Sequence, residues 1–250
     1  MTRRFYVEPD VLAAGGTIAI EGALAHRLAN VLRVRAGEEI VLFAGDGHDV
    51  RVRVDDIDRR RAEATVVDRT ESPPEPRLRL NLYQSITKGE RFEWLLEKGT
   101  EIGVSRFVPL VTARGVVKPE SGRNRAERWR RIVVEAAEQS GRGAVPAVDA
   151  PQRFAEALTC APGVLLLPYE AAGEQAPDIQ SALNADIDAL FALSEVSVFI
   201  GPEGGYEDAE VAQAKEAGAA VVTMGRRVLR SETAGLVAAT LVMQAAGELA

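Results

Sequence analysis

The sequence predicts an α/β protein in which a small β-rich domain precedes a larger domain built on a mostly parallel sheet. Short alternating apolar runs, separated by turn residues, fill roughly the first seventy residues. A proline-rich segment follows at residues 71–76, and its prolines cannot continue a helix or a central strand. Beyond it, strand-like and helix-like segments alternate, which is typical of a parallel sheet covered by helices. We therefore expect domains at residues 1–72 and 73–250.

The pattern of the first domain is that of a small β-barrel. Its strands are expected at residues 39–43, 50–54 and 64–67. One helix interrupts them at residues 23–33, because apolar side chains recur there at helical spacing. The apolar face of this helix comprises Leu24, Leu28, Val31 and Leu32, and another face carries His26, Asn30 and Arg33.

The second domain alternates strands and helices along its length. Strands are expected at residues 78–82, 107–111, 163–167, 196–200 and 221–225, and helices at residues 91–102, 124–139, 207–217 and 232–248. Pro109 predicts an edge position or a strand terminus. Helix 124–139 should bury Ala126, Trp129 and Ala136, among others. Residues 171–188 are polar and weakly patterned, and are interpreted as a mobile loop.

Composition excludes several classes of protein. The chain has 250 residues, of which 46% are hydrophobic, and a single cysteine, Cys160. A disulfide framework or a cysteine metal cluster within one chain is therefore excluded, and no metal is expected. The amino terminus lacks the apolar core of a signal peptide, and no run of about eighteen apolar residues indicates a membrane span. We expect a soluble cytoplasmic protein.

The distribution of charge points to a polyanionic partner although the net charge is −7. Residues 1–76 carry a net charge of −3, residues 77–142 carry +6 and residues 143–250 carry −10. A local basic surface is what phosphate binding requires, whatever the total charge. The alternative is that these basic residues form an ordinary solvated helix face.

Two apolar, β-branched runs near the carboxyl terminus each end at a glycine. Residues 196–200 lead into Gly201-Pro-Glu-Gly-Gly205, and residues 221–224 lead into Gly225. Such runs are typical of buried parallel strands, and ligands bind outside the carboxyl ends of these strands. Because the loops carry few side chains, backbone groups can approach a ligand closely. We predict one small-molecule site formed by both loops.

Other patterns limit the chemistry of this site. The two histidines, His26 and His48, lie in the first domain, which excludes a Ser–His–Asp triad or a histidine–zinc site in the second. Loop 201–205 also differs from Gly-x-Gly-x-x-Gly, and the next strand ends in Met224-Gly225 where a dinucleotide site would place an acidic residue. A nicotinamide-dinucleotide enzyme remains an alternative.

Five motifs are spread in order over nearly the whole chain, at residues 26–33, 97–104, 135–142, 201–205 and 224–234. Together they resemble the ribosomal RNA small subunit methyltransferase E family, within the SPOUT class of S-adenosylmethionine (SAM) methyltransferases. The resemblance implies a PUA-like RNA-binding barrel followed by a SPOUT domain with a deep trefoil knot. It also implies a homodimer that methylates N3 of a uridine in 16S ribosomal RNA of the small ribosomal subunit.

The resemblance also implies which residues bind SAM. Three loops would enclose it, and their residues are Leu167, Pro168, Gly201, Pro202, Gly204, Gly205, Met224, Gly225, Val228 and Leu229. Adenine would lie among backbone groups and apolar side chains. The alternatives are ordinary core packing for Met224 and Leu229, and simple turn chemistry for the glycines.

Arg230 is the leading candidate for a catalytic residue. It precedes a predicted helix, where a cation opposes the helix dipole, so we expect it to have an anionic partner. We hypothesise that it stabilises negative charge developing on the substrate base, or that it orients the base by hydrogen bonds. Ser231 is expected to be the N-cap of that helix. Glu203 is the nearest acidic candidate to accept the N3 proton, or alternatively it holds the glycine loop through backbone hydrogen bonds.

The first domain and the end of the basic helix supply the candidate RNA contacts. They are Arg3, Arg4, Asn30, Arg33 and Arg142. His26 is interpreted as a surface or packing residue. The apolar terminal helix could form the dimer interface or pack within its own domain. Two alternatives to the implied function stay open: a SAM-dependent methyltransferase of another RNA, and a non-catalytic RNA-binding homologue.

Overall fold

The computed structural model describes residues 3–13, 15–115, 123–173, 175–185 and 195–249. The chain forms two compact units, one of Met1–Glu75 with Ala137–Val145, the other of Pro76–Ala136 with Pro146–Ala250. The predicted α/β class is confirmed. The first unit ends within the proline-rich segment, and it also includes a mid-chain segment that the predicted boundary at residue 72 left out. Residues 116–122, part of the basic segment, lie outside the described residues.

The first unit is built around a five-stranded mixed sheet. Its spatial order is β1 (Arg4–Tyr6), β3 (Glu39–Phe43), β4 (His48–Ile57), β5 (Arg61–Glu71) and β2 (Thr17–Glu21). Strand β1 runs parallel to β3, and the other pairs are antiparallel. A short helix, α1 (Pro9–Ala13), precedes β2. Alternate residues of β4, namely Val50, Val52 and Val54, are buried in the core, as their alternation predicted.

The predicted helix near residue 23 is present but changes its winding. Helix α2 (Gly22–His26) continues as a π-helical turn, Arg27–Val31. The prediction that Val31 faces the core is wrong, because Leu28 is fully buried whereas Val31 is 67% exposed. The wider π turn rotates the residues after Leu28 away from the α-helical face. Arg33 follows with a left-handed φ of 54°.

A partly buried polar network holds the segment Ala137–Val145 within the first unit. The Arg4 guanidinium donates to both oxygens of Asp49, at 3.0 and 2.5 Å, and to the carbonyl of Arg142. The Arg142 guanidinium in turn pairs with Glu75 at 2.5 Å. Both arginine side chains are only 10% exposed. Buried cations need such partners, so these contacts are structural.

Replacing Asp49 by Asn is expected to destabilise the protein by about 3 kcal/mol near neutral pH, because it leaves the Arg4 guanidinium without its carboxylate. Burial alone raises the pKa of Asp49, but hydrogen bonds from Arg4 and Ser72 outweigh it and hold this pKa below the usual value. A lowered pKa gives stability that is present above the unfolded-state pKa and is lost as pH falls through the folded-state value. The difference in unfolding free energy between the two proteins should therefore shrink at acid pH, as denaturant titrations would measure.

Asp68→Asn is the matched control for this experiment. Asp68 lies on β5 and pairs with Arg51 at 3.4 Å, but about half of each side chain is exposed. Exposed ion pairs contribute roughly 0–1 kcal/mol because water and salt screen them. Equal losses from Asp49→Asn and Asp68→Asn would contradict the structural role of the Arg4 network.

The second unit is built around a parallel sheet. Its spatial order is β12 (Ala220–Val222), β10 (Val164–Pro168), β11 (Glu195–Ile200), β6 (Arg79–Ser85), β7 (Arg106–Val111) and β8 (Ala147–Val148), and β9 (Gln152–Arg153) also pairs with β7. All these pairs are parallel, as predicted. The described helices are α3 (Arg91–Ile102), α4 (Arg123–Ser140), α5 (Phe154–Cys160), α6 (Ile179–Ala185), α7 (Asp208–Glu216) and α8 (Ser231–Ala245). None of these described helices is long and apolar enough to cross a membrane.

Helix α3 coincides with its predicted range because its sequence indicates both its buried face and its carboxyl-terminal end. Phe92, Leu95 and Leu96 recur at helical spacing and are buried. The helix ends because Gly103 adopts a left-handed φ of 111°, the conformation that closes helices and that glycine accepts most readily. Helix α3 packs against α8, and this packing brings the amino-terminal ends of both helices to the site described below.

Three predictions about the second unit are wrong. Strand β7 is not an edge strand, and Pro109 is tolerated because it lies opposite the break between the short strands β8 and β9. Ala126 is exposed, because the buried face of α4 begins at Trp129. Within the segment interpreted as a loop, helix α6 forms and buries Ile179 and Leu183; residues 174 and 186–188 of that segment lie outside the described part.

Candidate active site

A cleft opens at the carboxyl ends of three neighbouring parallel strands. Strand β10 lies between β11 and β12 in the sheet, so the loops that follow the three strands meet at one edge. Pro168 and Glu170 come from the first loop, Gly201 and Gly205 from the second, and residues 223–231 from the third. The cleft encloses about 270 Å³. Both glycine-ended loops therefore line the same cleft.

Most of the predicted cofactor-binding residues border this cleft. The lining includes Pro168, Gly201, Pro202, Gly205, Met224, Gly225, Val228 and Leu229. Leu167 does not line it, because this side chain is fully buried in the core beneath the strand ends. Gly204 also lies outside the lining, and its carbonyl accepts a hydrogen bond from Arg114 at 3.2 Å. Loop membership, which sequence can recognise, does not decide which residues face the cleft.

The backbone of the glycine loop borders the cleft because side chains are excluded there. A Cβ atom on Gly201 would lie 3.0 Å from the ring of Tyr206, closer than ordinary packing allows. Gly205 has a left-handed φ of 70°, which strains any residue with a side chain. The loop therefore presents peptide groups to a ligand.

Tyr206 is a residue of the cleft that sequence reasoning does not identify. Its side chain is buried against Phe154, with ring centroids 5.2 Å apart, yet it also lines the cleft. Burial raises the pKa of Tyr206 well above its usual value, and Glu210 and Glu170 raise it further, so the hydroxyl stays protonated. Within the described residues this hydroxyl has no hydrogen-bond partner. A buried hydroxyl without a partner is unfavourable for the fold.

Ser231 joins the start of helix α8 to the glycine loop. Its hydroxyl donates to the Gly201 carbonyl at 2.5 Å and accepts from the buried amide of Gln84 at 2.8 Å. The prediction that Ser231 is the N-cap is wrong, because Arg230 occupies that position and Ser231 is the first helical residue. Its hydroxyl bonds to Gly201, which follows the end of β11, instead of capping its own helix.

Replacing Ser231 by Ala is expected to lower the free energy of unfolding by about 2 kcal/mol, because the Gly201 carbonyl and the Gln84 amide both lose a buried partner. Thermal unfolding would measure the loss. Thr240→Ala is the control, since Thr240 lies on the exposed part of the same helix and, among the described residues, its hydroxyl bonds only to the Leu236 carbonyl. If Ser231→Ala lowers the free energy of unfolding no more than Thr240→Ala does, Ser231 does not join the helix to the glycine loop.

The charged residues near the cleft include two cations, Arg227 and Arg230, that make no ion pair among the described residues, and a separate paired group. Arg230 is exposed at the N-cap of α8 and lines the cleft, and within the described residues its guanidinium makes no ion pair. Glu203 lies 3.8 Å from Arg91, and Arg91 lies 3.8 Å from Glu232. Sequence reasoning does not identify Arg91 or Glu232, because their proximity depends on the packing of α3 on α8. No metal-binding cluster exists among the described acidic, histidine and cysteine residues.

In the first unit, the structure separates the five candidate RNA contacts into two groups. Arg3 donates to the Leu32 carbonyl at 2.9 Å, next to Arg33, and Asn30 lies one turn away and is exposed. Arg4 and Arg142 are instead held in the partly buried network, which leaves little of either guanidinium for phosphate. The assignment of these two as RNA contacts is therefore not supported.

Both parts of the chain match families of RNA methyltransferases. Residues 73–243 match the RNA methyltransferase domain family, and residues 20–67 match the RNA methyltransferase PUA domain family. Ribosomal RNA small subunit methyltransferase E of Bacillus subtilis is 30% identical over 96% of this chain and 95% of its own length. The Mycobacterium tuberculosis protein of the same name is 34% identical over 94% of this chain and 88% of its own. The chain belongs to the ribosomal RNA small subunit methyltransferase E family.

Solved structures agree with this assignment. The Neisseria gonorrhoeae ribosomal RNA small subunit methyltransferase E bound to S-adenosyl methionine has a TM-score of 0.85 and 34% identity, over 98% of both chains. A putative methyltransferase from Legionella pneumophila in complex with SAM has a TM-score of 0.84 and 27% identity, also over 98% of both chains.

Proposed function

We propose that this protein transfers a methyl group from SAM to N3 of a uridine in 16S ribosomal RNA of the small ribosomal subunit. The observation that carries the proposal is the cleft at the ends of β10, β11 and β12, which combines exposed backbone with a cation, Arg230, that has no ion pair among the described residues. The family relatives and the SAM-bound neighbours support the substrate and the cofactor.

The residues of the cleft fit SAM. Gly201 and Gly205 offer peptide groups, and Met224 and Leu229 offer apolar surface. When bound, SAM supplies an electrophilic methyl group on a positively charged sulfur. The carboxylates of Glu170 and Glu203 also border the cleft, and their charge suits a cationic ligand.

The chemistry requires a group that manages the N3 proton. Neutral uracil carries hydrogen on N3, so negative charge develops on the base as that proton leaves. Arg230 can stabilise this charge by hydrogen bonds from its unpaired guanidinium. Glu203 interacts with Arg91 and lies 3.5 Å from the Lys88 amide nitrogen, which supports a role in holding the loop. An unchanged pH profile in Glu203→Gln would remove Glu203 as the proton acceptor.

The first unit is assigned to RNA binding. Arg3, Asn30 and Arg33 lie close together at the end of the π-helical turn and are exposed, so they can reach phosphates or loop bases. In this proposal residues 1–72 are the RNA-binding domain and residues 73–250 are the SPOUT domain with its knot. A ribosomal substrate places the protein in the cytoplasm.

The homodimer is part of the same proposal. Helix α8 buries Val242 within its own unit but leaves Leu241 exposed, and Val228 in the cleft loop is also exposed. A second copy would cover apolar surface of this kind. Size-exclusion chromatography with light scattering tests the proposal, and a monomer at working concentration would reject it.

The decisive experiment is methyl transfer from labelled SAM to small ribosomal subunits from cells lacking this enzyme, followed by mass spectrometry of the digested nucleosides. N3-methyluridine at one site is the expected result. Label in no ribosomal RNA, with SAM binding intact, would redirect the proposal to another RNA. Neither label nor SAM binding would reject methyl transfer altogether.

A further inference from the structure

A second cavity, of about 710 Å³, lies beside the cleft, between the amino-terminal ends of α3 and α8. Arg230 lines both the cavity and the cleft. Arg91 also connects them, because its guanidinium lies 3.8 Å from Glu203 of the cleft and 3.8 Å from Glu232 of the cavity. A group held in the cavity would therefore lie next to a ligand in the cleft.

Glu232 places a buried carboxylate in this cavity. Its side chain is only 9% exposed, and within the described residues its Oε2 atom has no hydrogen-bond partner. The other oxygen, Oε1, faces Arg91 at 3.8 Å, beyond hydrogen-bond distance. Oε2 is itself shielded from solvent, so a ligand in the cavity would reach the carboxylate at its exposed edge, where an N–H group would be stabilised.

Trp94 gives the same cavity an aromatic surface. Its side chain is 45% exposed, whereas Trp129, the other tryptophan of the chain, is buried. Exposed aromatic rings beside cationic residues are the usual platforms for unstacked nucleobases. A target base must leave its stack to reach an enzyme pocket, and such a ring replaces the lost stacking.

We propose that this cavity holds the target uracil base, stacked on Trp94, with its N3–H donated to the carboxylate of Glu232. The proposal rests on the proposed function and adds the base subsite and the proton acceptor. Uracil presents a donor between two carbonyl acceptors. The cavity presents the buried carboxylate of Glu232, with Arg230, Arg91 and Lys88 as cationic groups and Glu90 as a second acidic residue of its lining. Cytosine has an acceptor at N3, which would face Glu232 unfavourably.

Glu232 then acts as the proton acceptor. The N3–H proton passes to the Glu232 carboxylate, and the electron pair of the N–H bond stays on N3 and forms the new nitrogen–carbon bond. The bond between that methyl carbon and the sulfur of the donor breaks, and its electron pair stays on sulfur. Glu232 becomes a neutral carboxylic acid, and it returns the proton to water through the open side of the cavity. Arg230, on the boundary with the cleft, stabilises the charge on the ring carbonyls while the proton is transferred.

Binding to the SAM-free protein tests the subsite without relying on turnover. The probes are short single-stranded oligoribonucleotides that differ only at one central base: uridine, 3-methyluridine or cytidine. The uridine probe should quench Trp94 fluorescence and bind about tenfold more tightly than the other two, because only it donates to Glu232. Affinities are measured by anisotropy of end-labelled probes.

Variants separate the two parts of the subsite. Trp94→Ala should weaken the uridine probe about tenfold or more, whereas Trp94→Phe keeps a stacking ring and should stay within about threefold of wild type. Glu232→Gln should bring the uridine and 3-methyluridine affinities close together and remove most single-turnover activity. Thermal unfolding monitors folding, and if Glu232→Gln does not fold, the 3-methyluridine comparison on the wild-type protein decides the role of Glu232.

Three results would contradict the proposed base subsite or change its interpretation. Wild-type affinity in Trp94→Ala would reject the stacking platform, and if that variant also becomes monomeric, Trp94 belongs to a contact with a second copy. Equal binding of all three probes by the wild-type protein would reject the Glu232 contact. If the wild-type enzyme still methylates small subunits, these failures remove the subsite and leave the proposed function; if it does not, the proposed function itself fails.

Discussion

Replacing Arg230 by Ala should lower the rate of methyl transfer about 100- to 1000-fold while changing SAM affinity little. Arg230 is exposed, and among the described residues its guanidinium has no ion pair, so the substitution removes no partner that stabilises the fold. The guanidinium acts on charge that exists only while the base loses its proton, and interactions of that kind appear in the rate and not in ground-state binding. Single-turnover kinetics and calorimetric titration of SAM measure the two quantities.

Arg227→Ala is the matched control for Arg230→Ala. Arg227 lines the same cleft from the same loop, is exposed and carries the same charge, but it precedes the N-cap position by three residues. Its loss should reduce the rate by less than about tenfold, through the general positive potential alone. Equal rate losses in the two variants, or a fall in SAM affinity that matches the fall in rate, would contradict a specific role for Arg230.

The cleft was predictable because its signals are local. An apolar β-branched run followed by glycine identifies a strand and its loop, and Gly201 and Gly225 both end such runs. The position of β10 between β11 and β12 was not predictable, because sheet order depends on packing between distant segments. The same limit applies to Leu167, which belongs to a cleft strand but faces the core.

Side-chain partners were less predictable than strands. Arg3 and Arg4 are adjacent in sequence and look equivalent, yet Arg3 is exposed whereas Arg4 pairs with Asp49 on another strand. Neighbouring residues at a strand point in opposite directions, so their surroundings differ completely. Only the register that brings β3, β1 and β4 together determines which arginine is buried.

The contacts of Glu232 and Ser231 also could not be predicted from the sequence. Both lie in the first turn of a helix, where acidic and hydroxyl side chains usually serve the helix itself. In the structure they face Arg91 and Gly201 instead, on separate elements. Propensity predicts that such residues stand at a helix start, but not that the packing of α3 and β11 gives them a second role.

Gly163→Ala is expected to have the largest effect on stability of any substitution considered, roughly 4 kcal/mol or more. Gly163 immediately precedes β10 and has a left-handed φ of 74°. A Cβ atom there would lie 2.0 Å from the carbonyl oxygen of Glu195, and backbone cannot move aside as a flexible side chain can. The clash falls where β10 begins to pair with β11, and these strands supply two of the three cleft loops. Denaturant unfolding should therefore show a large loss, and SAM binding should weaken with it.

Gly218→Ala separates the backbone strain of a left-handed alanine from the steric clash with Glu195. Gly218 has a similar φ of 85°, but a Cβ atom there would meet nothing within 4 Å. Its substitution should cost only the strain of a left-handed alanine, about 1–2 kcal/mol. The difference between the two variants measures the backbone clash alone, because both replace glycine by alanine in the same conformational region. Losses of equal size would mean that β10 and β11 can move apart at Gly163 without disturbing the sheet. The cleft would then tolerate movement of β10, which ends at Pro168 and leads to Glu170.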